Sequence, residues 1–336
     1  MAEARAHLDD PFLTPIDTFD EAWRATRPTD RLEGVRRSAR AFHERMQSAP
    51  RVRYFRSMTL ARAPYPTKYA FLNATSMPTP FLHIVNRVFV VQVEFRGDTK
   101  TILFSPTDIH RAAETPFFRS LSESLGPFRD IGERLIAVRC GTVQERLREL
   151  GIAPEAIDYI SFDHLHTQDV RTWIGGDGVP AFFPNAKLLV MREEWESAHG
   201  LLPTQAQWYC PDGVRGVDPR RIVLLDGSVM LGESIAIVRS PGHTEGNHSF
   251  VTRTDRGVIV TSENGVGADA YAPEASRIPG LRKYARATGA EVVLNGNTLE
   301  GSVNQYVSMV MEKTIAEPAP DNSDFPNVVC SSEFDS

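Results

Sequence analysis

The sequence predicts an α/β fold, a sandwich of two mixed β-sheets enclosed by helices. Three observations predict it: an apolar hairpin early in the chain, an alternation of strand and helix after it, and a run of short apolar strands that gives way to helices again. A purely parallel doubly wound sheet would not combine these patterns. In chain order, Asp30 and Glu33 fit a capping pair, and Leu32, Val35, Ala39, Phe42 and Met46 recur at helical spacing, so a helix runs from Asp30 to Met46. Val88 to Phe95 and Thr101 to Phe104 are rich in β-formers, and Arg96-Gly97-Asp98 between them reads as a turn. Thr142 and Glu145 make a capping box for a helix that Gly151 terminates. Ile157 to Phe162 and Lys187 to Met191 follow as strands, with a helix at Arg192 to His199. Four further strands are expected at Ile222 to Leu225, Ile235 to Arg239, Ser249 to Thr252 and Val258 to Thr261. A helix at Leu281 to Thr288, a strand at Glu291 to Leu294 and a helix from Val303 to Lys313 complete the body.

The expected organisation is a helical arm with a first strand over residues 1–75, a main domain over 76–316, and a tail over 317–336. Pro318, Pro320 and Pro326 among Asp and Ser make that tail read as irregular. The arm and the tail are candidates to cover a pocket mouth or join a neighbouring subunit.

Composition narrows the function. Apolar residues are 41% and charged residues 24% of the 336, as in an ordinary globular chain. Lys and Arg total 37 against 43 Asp and Glu, a formal charge of -6, which gives no electrostatic reason to expect nucleic acid. There is no apolar run of about 18 residues, and Asp9, Asp10, Asp17, Asp20 and Glu21 stand where a signal peptide needs apolar sequence, so a cytoplasmic location without membrane contact is expected. Cys140, Cys210 and Cys330 are odd in number and in no CxxC arrangement, which suggests reduced thiols and leaves any metal to other ligands. The absence of a P-loop, a GxSxG elbow and an HExxH helix weighs against NTPase, serine-hydrolase and zincin chemistry.

Histidines carry the functional signal. His164-Leu165-His166 follows the strand Ile157 to Phe162, and at a spacing of two in an extended segment both imidazoles can point the same way. His243 lies in Ser240-Pro241-Gly242-His243-Thr244-Glu245-Gly246, a tight turn after another strand. Three imidazoles at strand ends can converge on one ion, and three protein ligands with an open position is the usual catalytic zinc arrangement. Such an ion lowers the pKa of water to about 7 and polarises carbonyl or phosphoryl oxygens, which points to hydrolysis.

These segments, with Asn185 to Val190 leading into Glu193-Glu194-Trp195 and with Val258 to Glu263, stand in the order found in the metallo-β-lactamase superfamily, which the chain resembles over about Val88 to Met311. The resemblance implies an αββα sandwich, metals at the strand ends between the two sheets, and a first metal held by His164, His166 and His243. At the second site the chain departs from the family. Where the family reads HxHxDH, Gln168 takes the place of the metal-binding Asp and Asp169 that of the His. Glu263 stands for the bridging Asp, and Asn297 for the final His. Neutral amide oxygens bind transition metals less tightly than carboxylate or imidazole.

Three readings follow. In the favoured one, a metal-dependent hydrolase uses a single divalent ion, zinc before iron or manganese, to cleave an ester, lactone, or activated aryl ether or amide bond of a small organic molecule through a metal-bound water. Asp169 and Glu263 serve as ligand or general base, and Gln168 and Asn297 donate hydrogen bonds to substrate oxygen. The second is a diiron-type oxidative enzyme with Glu263 as bridge. In the third, the chain is a non-catalytic scaffold beside an active paralogue of the same fold. A homo-oligomer or such a heteromer is expected.

Overall fold

The protein, as a computed structural model, is described over residues 10–123, 138–296, 301–330 and 332–334. One sheet runs β1 (Leu13–Pro15), β9 (Val229–Leu231), β10 (Ile235–Arg239), β11 (His248–Thr254), β12 (Gly257–Thr261) and β15 (Val328–Val329). The other runs β5 (Val138–Arg139), β2 (Tyr54–Pro66), β3 (Phe81–Phe95), β4 (Asp98–Phe104), β6 (Tyr159–Ser161), β7 (Lys187–Met191) and β8 (Ile222–Leu225), with β16 (Ser332–Phe334) also paired to β3. Both are mixed: β4, β6, β7 and β8 are parallel neighbours whereas β2, β3 and β4 are antiparallel, and β15 joins the otherwise antiparallel first sheet in parallel.

Strand alternation builds three apolar layers. Phe89, Val91, Ile102, Phe104, Leu189 and Met191 point inward and meet Ile235, Ile237 and Phe250 of the facing sheet. Their sequence neighbours Val88, Val90, Leu103, Leu188 and Val190 point outward, onto Val143 and Leu147 of the helix Val143–Glu149. Behind the first sheet, Ala236, Val238, Val251 and Val260 pack with Val35, Ala39, Phe42 and Met46 of the helix Pro28–Ser48 and Val307 and Met311 of the helix Ser302–Ile315. Helix, sheet, sheet, helix is therefore the layering, the αββα sandwich expected.

The hairpin of β3 and β4 turns on Arg96 and Gly97, at φ 52° and 88° with Phe95 opposite Asp98, the left-handed pair that a two-residue turn requires. Several expectations need correction. The first long helix starts at Pro28 with no side-chain cap, so Asp30 is a first-turn acid, ion-paired to Arg27 at 3.4 Å, rather than the cap. Glu291 to Leu294 is not a strand: Val293 donates to the Ala270 carbonyl at 2.8 Å, and Val292, Val293 and Leu294 are buried in the core, which leaves the same apolar run in sequence as a buried strand would. The tail is not irregular. β13 (Pro318–Ala319) and β14 (Asn322–Pro326) form a small hairpin, after which β15 and β16 join the two large sheets. Pro318 and Pro326 sit in short strands, where a missing N–H is tolerated, and Pro320 lies in the turn between them. The segment expected to form an arm supplies β1 to one sheet and β2 to the other, and β2 pairs with β3 along twelve positions across the 75/76 boundary.

Candidate metal centre

Three loops at one edge of the sandwich carry the candidate residues: those after β6, β10 and β12. β6 belongs to one sheet and β10 and β12 to the other, so the site spans both layers. Leu165 is buried in the outer apolar layer, which turns the flanking imidazoles of His164 and His166 to the opposite side. Their ring centres lie 4.5 Å apart, and His243 stands 4.5 Å from His164 and 5.1 Å from His166. One ring nitrogen from each falls within 4.8 Å of the others. The His243 turn is stapled in place: Ser308 Oγ donates to the Pro241 carbonyl at 2.8 Å, and the Gly301 N–H to the Gly242 carbonyl at 3.0 Å.

The donor set fits a borderline transition metal. Both ring nitrogens of His166 are buried without a hydrogen-bond partner among the described residues, an arrangement that costs free energy unless a ligand fills it. Burial, then the neighbouring His164 and His243, hold its pKa well below the ordinary histidine range, so a neutral lone pair is available. Burial, then His164, does the same for His243. His164 differs. Burial pulls its pKa down, but the Asp163 carboxylate, then Glu263 and Glu194, outweigh it and raise the ring to about 9. Asp163 Oδ1 is 3.3 Å from Nδ1 and Glu263 Oε2 is 4.0 Å from Nε2. A carboxylate behind Nδ1 fixes which nitrogen faces the centre, and a cation bound there would take the place of the proton on it.

The second-site residues are distributed otherwise than the sequence suggested. Asp169, expected as ligand or base, is 4% exposed and is held by the Arg171 fork, Nε to Oδ1 at 2.9 Å and Nη2 to Oδ2 at 2.6 Å. Both oxygens accept from one guanidinium, and Asp169 is not among the groups that could hold a metal. Gln168, expected to donate to substrate, gives an Nε2 hydrogen to Thr107 Oγ1 at 3.1 Å, leaving Oε1 buried without a partner among the described residues. It presents an acceptor instead. Glu263 stays at the rim, 18% exposed, as the carboxylate beside His164. Asn297 lies outside the described residues.

Sequence reasoning missed two buried acids. Glu194, 1% exposed in the helix Arg192–His199, accepts from the Leu165 N–H at 2.7 Å, Tyr209 Oη at 2.9 Å and Thr244 Oγ1 at 2.6 Å. Glu312, on the helix Ser302–Ile315, accepts from Ser249, Ser262, Asn264 and Tyr271 at 2.6 to 2.9 Å and so frames the loop that carries Glu263. The available signal was an acid on the apolar side of a helix: Glu194 shares its side with Ala198, which packs into the core. An aromatic wall was missed as well. Trp208 lies 6.2 Å from His166, with Phe117 at 4.4 Å and Tyr69 at 6.1 Å from Trp208.

His248, the first residue of β11, is buried against Phe104 with Nε2 2.9 Å from Ser161 Oγ. Burial lowers its pKa to about 4, below the ordinary 6.5. The unfolded chain therefore binds the extra proton between those values, and folding stability falls as pH drops from 6.5 to 4. His164, raised, is protonated in both states there and does not oppose the trend. Metal-free protein should lose on the order of 3 kcal/mol from this group. Denaturant melts at pH 7 and pH 4.5 check it: a His248→Gln variant should show a smaller drop, and an equal drop would contradict the assignment.

A scan of family models finds no match to the sequence, and a search of curated proteins finds none. Solved structures do resemble it. A B. thuringiensis AiiA variant with N-decanoyl-L-homoserine bound at its active site is 16% identical, over 75% of this chain and 94% of that one, with a TM-score of 0.49. A quorum-quenching N-acyl homoserine lactone lactonase is 15% identical over 75% and 93%, at 0.48. A probable metal-dependent hydrolase from Staphylococcus aureus is 13% identical over 69% and 83%, also at 0.48. The strand order and the three converging imidazoles define the class independently: an αββα sandwich with a three-histidine centre at the strand ends.

Proposed function

We propose that the chain is a metal-dependent hydrolase that holds one divalent cation, zinc before iron or manganese, on His164, His166 and His243. The observation that carries this reading is the convergence of three buried imidazoles, two of them held neutral by burial, with both nitrogens of His166 unmatched among the described residues. A cation there supplies Lewis acidity toward a carbonyl or phosphoryl oxygen and makes water more acidic. Asp163 orients His164 from behind. Glu263, the carboxylate nearest the triad that keeps some solvent access, is the proposed general base, because Asp169 is taken up by Arg171. Gln168 Oε1 offers an acceptor for a substrate N–H or O–H.

Tyr69, Phe117 and Trp208 suit the apolar part of a small ester or lactone. No described helix is long and apolar enough to cross a membrane. Purified protein should contain about one zinc, manganese or iron per chain by elemental analysis. It should hydrolyse members of an ester, lactone and aryl-ether panel, with loss of turnover in chelator and recovery on adding metal back. No metal and no turnover would sink the reading in favour of a scaffold, and two irons with oxygen consumption in favour of oxidative chemistry.

A further inference from the structure

We infer that Glu194 is a positioning residue whose buried carboxylate ties the two histidine-bearing loops together through Leu165 and Thr244. The inference rests on the metal-centre reading and adds a part to it. His164 and His166 come from the loop after β6, and His243 from the loop after β10, on different sheets. No covalent neighbour sets the distance between them. Glu194 Oε1 accepts the N–H of Leu165, the residue between the two histidines, and Oε2 accepts the hydroxyl of Thr244, the residue after the third. Tyr209 adds a third hydrogen bond, and the Tyr209 backbone is itself bridged to His166.

A second observation points the same way. A Cβ on Gly246 would overlap the backbone nitrogen and Cα of Glu194, so the His243 loop lies directly on the helix residue that tethers it. Arg239 is paired with Glu193 at 3.1 Å, which leaves Glu194 as the acid turned inward at this junction. Partners behind the ligands of a metal commonly set its affinity by about 10- to 100-fold.

The test centres on Thr244, which touches the tie without being a ligand. In zinc titrations against a competing chelator, Thr244→Val should weaken binding about 10-fold, whereas Thr244→Ser, which keeps the hydroxyl, should stay within about twofold of wild type. Glu194→Ala should weaken it about 100-fold, and adding Thr244→Val to Glu194→Ala should weaken it little further, because both changes cut one connection. Equal affinity in Thr244→Val, or effects that simply multiply, would overturn the inference.

Hydrogen exchange on metal-free protein separates this from the metal reading. Thr244→Val should speed exchange by about 10-fold in 163–167 as well as in 243–246, since loosening one loop frees the other. Faster exchange confined to 243–246 would show that no tie exists, whether or not the wild type binds zinc. Wild type that binds no zinc would fail the metal reading alone.

Discussion

His166→Ala is expected to abolish metal binding and lower kcat/KM by about a thousand-fold or more, near 4 kcal/mol of transition-state stabilisation, while leaving the protein folded. The activity loss follows from the donor count. Two imidazoles and a rim carboxylate hold a borderline ion far less well than three imidazoles. The retained fold follows from burial. His166 is 4% exposed with both ring nitrogens lacking a partner among the described residues, so without an ion its ring contributes a desolvation cost along with its packing, and deletion removes both. Elemental analysis, turnover and melting of the metal-free protein check the three parts separately. A variant that keeps its metal and its rate would remove the centre from the mechanism.

The largest expected effect on stability is at Gly242, beside the third ligand. Its φ of 137° is a region that side-chain-bearing residues rarely adopt, and a Cβ there would overlap the backbone of Gln305 at the start of the helix Ser302–Ile315. The turn can reach the helix only because nothing projects from this position. Gly242→Ala therefore has to displace either the turn or the helix, and the turn is held there by the Gly301 N–H on the Gly242 carbonyl at 3.0 Å. A loss of at least about 3 kcal/mol is expected, a fall in melting temperature on the order of 10 °C. An unchanged melt would mean that the turn does not sit against the helix as described. Because His243 is the next residue, metal affinity should fall together with stability, which distinguishes this variant from His166→Ala.

Much of the fold was legible because local pattern and tertiary role coincide. β7, β8 and β10 have the bounds that their apolar runs suggest, and the capping box of Thr142 and Glu145 is formed with both of its hydrogen bonds. The triad was legible for the same reason: a spacing of two in an extended segment and a Pro-Gly turn are local instructions. What stayed hidden depends on partners distant in sequence or on competing local options. Asp169 could equally have faced a metal or its neighbour Arg171, and only the short helix Arg171–Ile174 turns that guanidinium back onto it. Gln168 reads as a donor until Thr107, sixty-one residues earlier, takes its N–H. Glu194 looks like any helix-surface acid until the two loops close over it. The tail reads as irregular because its prolines mask strands that form only once large sheets offer edges.

The tail also changes how the two layers relate to each other. β15 pairs with β12 in one sheet, and β16, only a few residues later, pairs with β3 in the other. The carboxyl end thus works as a clasp across the two covers of a book: tension on it would pull both at once, and neither can release its final strand without loosening the grip on its opposite number.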